Sequence, residues 1–155
     1  MENDGQGRTF VLNNTGWSAE LDKLQLINGS FRHDQETDRM PYTDRFDGQH
    51  INFHSLSGTF NYIQLKHDTI WANISLSGKE KSGLHIKKLQ TAFRVTPGIM
   101  EFSDLDLETN KSHIGNYFSM SYNDFNKNMN HFLSDVKLDA KLTSSSLSSD
   151  DLAVF

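Results

Sequence analysis

The chain contains no cysteine, which removes disulfides, thiol catalysis and cysteine-ligated zinc and leaves the redox compartment unread. Proline occurs only twice, as Pro41 and Pro97, each where the alternation of apolar residues breaks, so both read as connectors between strands. No stretch approaches the ~18 uninterrupted apolar residues of a membrane-spanning helix. The first fourteen residues, MENDGQGRTFVLNN, lack the basic and apolar regions of a signal peptide. Apolar side chains make up only 35% of the 155 residues, below the roughly 45–50% (a count that includes Gly) of ordinary globular domains. A closed three-dimensional core is therefore thinly supplied. Positive charge is also short: the formal net charge is -5, and scattered Lys and Arg offer no broad basic face, which argues against nucleic acid and anionic membrane surfaces as partners.

What is present is a regular pattern. The chain carries 11 Phe, 4 Tyr and 2 Trp set in alternation, the wrong composition for disorder. Polar residues are spread evenly among the apolar ones, which suits a sheet with one dry and one wet face. Ile70, Ala72, Ile74 and Leu76 alternate with Trp71, Asn73 and Ser75, and Val136, Leu138, Ala140 and Leu142 alternate with Lys137, Asp139 and Lys141; both segments predict half-buried strands. Gly58, Gly78, Gly83, Pro97-Gly98 and Asn110 are spaced as the turns of an antiparallel meander.

Four strands share a slip in phase. Ala19-x-Leu21-x-x-Leu24, Ile51-x-Phe53-x-x-Leu56, Leu84-x-Ile86-x-x-Leu89 and Met100-x-Phe102-x-x-Leu105 each shift the apolar face by one residue. A β-bulge or tight bend at each slip would restore the face, and repeated bends would curve the sheet. The pattern recurs every one or two strands, a weak internal repeat of the stacked-strand kind. The fold expected is all-β: a long curved antiparallel meander with one short helix. That helix is placed at Asn123–Leu133, where Phe125, Met129, Phe132 and Leu133 follow helical spacing. The polar stretch from His33 to Gln49 reads as a long exposed loop.

Candidate sites are few. Asp34-x-Glu36-x-Asp38 resembles the opening of a calcium loop, but the turn glycine is missing and Arg45 stands where the bidentate Glu belongs; a solvated loop explains it. Asp104, Asp106 and Glu108 alternate with Leu105 and Leu107 as the wet face of a strand does. His50 and His54 lie ~13 Å apart along a strand, too far to share one ion, and no other histidine pair has ligand spacing. No nucleophile motif occurs. No catalytic residue, metal or cofactor is expected, and the chain reads as a non-enzyme. Trp71, with Tyr62 and Tyr117 near phase changes, offers outward aromatics that could stack on a sugar ring or simply pack as rim residues.

Several runs resemble a known family: Phe46-Asp47-Gly48-Gln49-His50-Ile51, Leu65-Lys66-His67-Asp68-Thr69-Ile70, Leu76-Ser77-Gly78-Lys79-Glu80-Lys81-Ser82-Gly83-Leu84, a later Glu108-Thr109-Asn110-Lys111-Ser112, and the closing Asp151-Leu152-Ala153-Val154-Phe155. From Trp17 to Phe155 the chain resembles the Bacteroidetes branch of the TamB proteins, the translocation and assembly module subunit of the AsmA-like superfamily. The resemblance implies a periplasmic β-taco or solenoid-like groove, anchored in the inner membrane by other parts of the protein. It implies phospholipid acyl chains as cargo and an outer-membrane barrel partner reached through parts absent from this chain, in the service of outer-membrane biogenesis and protein secretion. On this reading residues 1–16 are a polar leader or edge strand, and 17–155 are one section of the groove in a longer protein. A native apolar C-terminal strand is the alternative for the last five residues.

The expected groove floor is Ile70, Ile74, Leu76, Leu84, Ile86, Leu89, Phe93, Met100, Phe102, Leu105 and Leu107. The same residues would also line an ordinary sandwich or solenoid core. About ten strands at ~4.8 Å spacing would make a trough of about 50 Å. The alternatives are a structural β-solenoid spacer, which requires a closed core, and a glycan-binding module, which requires clustered exposed aromatics over a filled interior.

Overall fold

The computed structural model describes residues 11, 13, 15–34, 36, 44–47, 49–123 and 135–153. Among them seven strands form one antiparallel sheet in sequence order: β1 (Ala19–Asp34), β2 (His50–Lys66), β3 (Thr69–Glu80), β4 (His85–Val95), β5 (Ile99–Glu108), β6 (His113–Ser121) and β7 (Lys137–Leu142). A four-residue helix, α1 (Ser149–Leu152), follows β7. Elements touch only their sequence neighbours within the sheet, so β1 and β7 do not meet and the sheet is not closed into a barrel.

The alternating sequence accounts for the meander. Many apolar residues meet another across the ladder, and the aligned pairs form rows that cross the sheet. One row runs Leu65, Ile70, Val95, Met100, Met120 and Leu138; a second runs Ala72, Phe93, Phe102, Phe118 and Ala140; a third runs Leu76, Leu89, Leu107 and Ile114. Because side chains alternate between faces, the rows share one face. Arg94, Glu101, Lys88 and Asp106 fall on the other.

Bulges keep the rows in phase, at three of the four slips as the pattern predicts. Between Phe53 and Leu56 the register with β3 skips from His54 to Ser57, and Ser55 takes φ 53°. Gly78 faces Ile86 while Leu76 faces Leu89, so Lys87 and Lys88 stand against Ser77 alone. Between Phe102 and Leu105 the skip surrounds Asp104, at φ 50°. The fourth slip differs: β1 and β2 stay in register from Ala19 to Leu26, and the phase change is carried on β2 by Tyr62, at φ 53°, where β2 bulges against β3.

Three expectations are corrected. Among the described residues the strands number seven rather than ten, β1 and β2 running to 16 and 17 residues, which gives a sheet about 30 Å across at ~4.8 Å per strand. Gly58 and Gly78 are not turns but lie inside β2 and β3. A Cβ on Gly58 would stand 2.2 Å from the Ser75 carbonyl oxygen, and one on Gly78 2.5 Å from Leu56 Cδ2, so both positions serve close approach rather than chain reversal. β7 is exposed along its whole length, not half-buried, because no described strand flanks its outer edge. Ser149–Leu152 form α1, its start capped by Ser148, whose Oγ accepts the Asp150 N–H at 3.3 Å. The helix expected at Asn123–Leu133 lies outside the described residues, apart from Asn123.

Candidate functional site

Among the described residues no second layer lies over the apolar face. Only Leu56, Ala72, Leu84, Val95, Leu105 and Tyr122 are buried hydrophobic residues among those described. Of the eleven groove residues expected, nine (Ile70, Ile74, Leu76, Ile86, Leu89, Phe93, Met100, Phe102 and Leu107) are half-buried, screened by one another but open above. Leu84 and Leu105 are 8% and 7% exposed, buried rather than half-buried, and Leu105 follows the bulge at Asp104. Thr91, on the apolar face of β4, stays buried because its Oγ1 donates to the Ser103 carbonyl at that same bulge, at 2.8 Å.

The centre of the face is aromatic. Phe93 and Phe102 have ring centroids 5.2 Å apart at 55°, and Phe102 and Phe118 are 6.1 Å apart at 42°, within the range of favourable tilted pairs. Phe118, Met120 and Ile114 extend the floor onto β6. They were missed, although Ile114, Phe118 and Met120 sit at even spacing in the sequence. On β1, Leu21, Leu24 and Phe31 are about half exposed, at 49%, 49% and 53%.

The opposite face is polar and knitted by charge pairs. Arg94 pairs with Glu101, which also accepts the Tyr117 hydroxyl at 2.8 Å. Asp106 accepts from Lys88 at 2.5 Å and lies 3.1 Å from His113 Nε2. The Lys88 hydrogen bond, joined by His113, holds the Asp106 carboxyl below its ordinary range despite partial burial, and Asp106 in turn raises Lys88.

Three buried carboxylates tie the turns at the sheet end where β2 begins. Glu80 is 1% exposed. Its Oε1 accepts the Asn52 N–H at 2.9 Å and its Oε2 the Ser82 N–H at 2.7 Å, fastening the β3–β4 turn to β2. Burial pushes the Glu80 carboxyl up, but hydrogen bonds from Ser82 and from backbone N–H groups outweigh it and leave the group low. Asp151 on α1 accepts from Thr109 Oγ1 at 2.5 Å and from the Lys111 N–H at 3.0 Å, and the Lys111 ammonium pairs with Asp150. Burial raises Asp151, and these bonds again more than offset it. Asp47 is 4% exposed and lies 2.9 Å from the Nδ1 of His50, itself 2% exposed, so the loop expected to be solvated ends in a buried pair. The runs around Asp47, Glu80, Thr109 and Asp151 that carry the TamB resemblance are thus turn-locking elements in this structure.

Tyr62 and Trp71, 69% and 36% exposed, line one depression of about 270 Å³ with Gln64 and Asn73. Tyr117 is not part of it. No group of three metal-ligating side chains occurs among the described residues, and no described helix is long and apolar enough to cross a membrane.

No family model, curated protein or solved structure matches this chain.

Proposed function

We propose that this chain is a section of a periplasmic bridge-like lipid-transfer protein of the TamB type, and that its apolar face holds phospholipid acyl chains passing between the inner and outer membranes. The observation that carries this reading is the set of three apolar rows, half-exposed across β3 to β6 with no second layer over them among the described residues. A monomer in water gains by covering such a face. Each acyl CH₂ removed from water contributes about 0.8 kcal/mol, so two chains need no polar motif to be retained. The bulges at Ser55, Tyr62 and Asp104 favour a curved sheet, and curvature converts a flat apolar face into a trough. On the same reading the inner-membrane anchor and the contact with an outer-membrane barrel belong to other parts of the protein.

Native mass spectrometry of the protein purified from bacterial cells, with lipid extraction, tests the proposal. Phospholipid is expected with the unaltered chain and absent from a Leu89→Glu/Phe102→Glu variant that keeps its circular dichroism. Absence of lipid from both would move the assignment to a structural spacer.

One observation favours a second reading, glycan binding on the opposite face: Tyr62 and Trp71 share a single depression with two amide side chains, as a sugar platform requires. The filled interior that reading also requires is not found among the described residues. A glycan array with a Trp71→Ala control decides it.

A further inference from the structure

Sequence order scatters the lysines, but the strand register gathers some of them. His54, Lys79 and His85 are direct cross-strand neighbours on β2, β3 and β4, on the face away from the apolar rows. Neighbouring strands lie about 4.8 Å apart, so the Lys79 ammonium is flanked on both sides by basic side chains. Opposite charges set across from one another in a sheet are stabilising, so a strand lysine ordinarily faces an acid.

Lys79 faces none. Lys81 from the β3–β4 turn and Asn110 from the β5–β6 turn join the row around a cavity of about 370 Å³. Glu80 also borders it, but both its carboxylate oxygens are engaged by the Asn52 and Ser82 N–H groups and the side chain is buried. Among the described residues the Lys79 and Lys81 side chains make no ion pair or hydrogen bond. The wall is held in place: Asn110 Oδ1 accepts the His85 N–H at 2.7 Å, Asn110 Nδ2 donates to the Gly83 carbonyl at 3.3 Å, and the Asn110 carbonyl accepts from Lys87 Nζ at 2.8 Å, which brings a third lysine to the rim.

We propose that this cavity binds a phosphate-type anion, a phosphate monoester or diphosphate, through the ammonium groups of Lys79 and Lys81 with the imidazoles of His54 and His85 as further donors. In a chain of net charge -5 two lysines without an ion pair offer a dianion attraction, and of the residues lining the cavity only Glu80, its carboxylate turned to the Asn52 and Ser82 N–H groups, opposes it. The anion can arrive free or as the exposed headgroup of a lipid; the chemistry of capture is the same. The site is independent of the acyl-chain reading, since it occupies the other face.

The test is a two-dimensional ¹⁵N–¹H NMR titration of the full chain at low salt with two probes: inorganic pyrophosphate, and phosphatidylcholine vesicles with and without phosphatidic acid. Saturable shifts confined to residues 54, 79–85 and 110 are expected, with affinity falling at least tenfold in Lys79→Gln/Lys81→Gln and unchanged in Lys137→Gln/Lys141→Gln on β7. All four lysines are exposed, so both variants should retain the circular dichroism of the parent. A response to pyrophosphate alone identifies a soluble phosphate, and a response that requires phosphatidic acid identifies a headgroup; both uphold the site. No saturable response to either probe, or equal loss in both double variants, overturns it and leaves the apolar face untouched.

Discussion

Phe93 and Phe102 meet across β4 and β5 with centroids 5.2 Å apart, and both rings remain half open on their upper side. The pair is at once the middle of the hydrophobic contact that holds the sheet together and the middle of the surface proposed for acyl chains. Truncation at this point therefore separates an open face from a closed core. Phe102→Ala should lower the free energy of unfolding by about 1–3 kcal/mol, less than the 3–5 kcal/mol common for a fully buried Phe. Urea denaturation followed by circular dichroism reads the difference.

Glu80 should behave as a structural carboxylate. Glu80→Ala leaves the Asn52 and Ser82 N–H groups without their acceptor, and hydrogen bonds to a charged group are each worth about 1.5–3 kcal/mol. The urea midpoint is expected to fall with little change in slope. An unchanged midpoint would show that water replaces the carboxylate at no cost.

The acid limb of stability follows from the same groups. Glu80 and Asp151 sit below their ordinary values of 4.5 and 3.8 in the folded chain. Their contribution is fully present above those values and is lost as pH falls through the lower folded ones. Stability should therefore hold down to about pH 4.5 for these groups and then decline. Glu80→Gln should flatten that decline, as read by denaturation midpoints across the acid range.

Asp151 latches α1 to the β5–β6 turn through Thr109 and Lys111. Asp151→Asn should raise hydrogen exchange at the Lys111 amide and across residues 146–153 by about tenfold, the equivalent of ~1.4 kcal/mol. Exchange in β3 and β4 should stay as it was.

Gly58 has no room for a methyl group beside the Ser75 carbonyl. Gly58→Ala must push β2 from β3, a backbone shift expected to cost about 1–3 kcal/mol, whereas Gly83→Ala meets no neighbouring atom and strains only a turn at φ 95°. Thermal melts of the two variants should rank them in that order.

The meander and its bulges were legible because period 2 and its interruption are local signals: Phe53-x-x-Leu56, Ile86-x-x-Leu89 and Phe102-x-x-Leu105 each mark a register skip that the ladder reproduces. Turn positions were less legible. Gly58 and Gly78 look like punctuation in sequence, and only the distance to Ser75 and Leu56 shows that they are contact points. Burial of single acids was not legible at all. Asp47, Glu80 and Asp151 read as ordinary polar residues: Glu80 and Asp151 meet partners far away in sequence, at Asn52 and at Thr109 and Lys111, and nothing in the local sequence marks the Asp47–His50 pair as buried. The basic row of His54, Lys79 and His85 was hidden for a related reason, because residues about 25 apart and then 6 apart become neighbours only through antiparallel pairing. Leu84 and Leu105 share the apolar pattern of their neighbours, and nothing in that pattern marks them as the buried ones.

The central claim is that lipid lies on the apolar face, and site-specific photo-crosslinking reads this directly. A benzophenone side chain placed at position 102, in the middle aromatic row, and at position 90, on the polar face opposite, would be irradiated in bacterial cells and the purified protein analysed by mass spectrometry. The account predicts phospholipid adducts at position 102 and none at position 90. Adducts absent from both, or equal at the two positions, would contradict it.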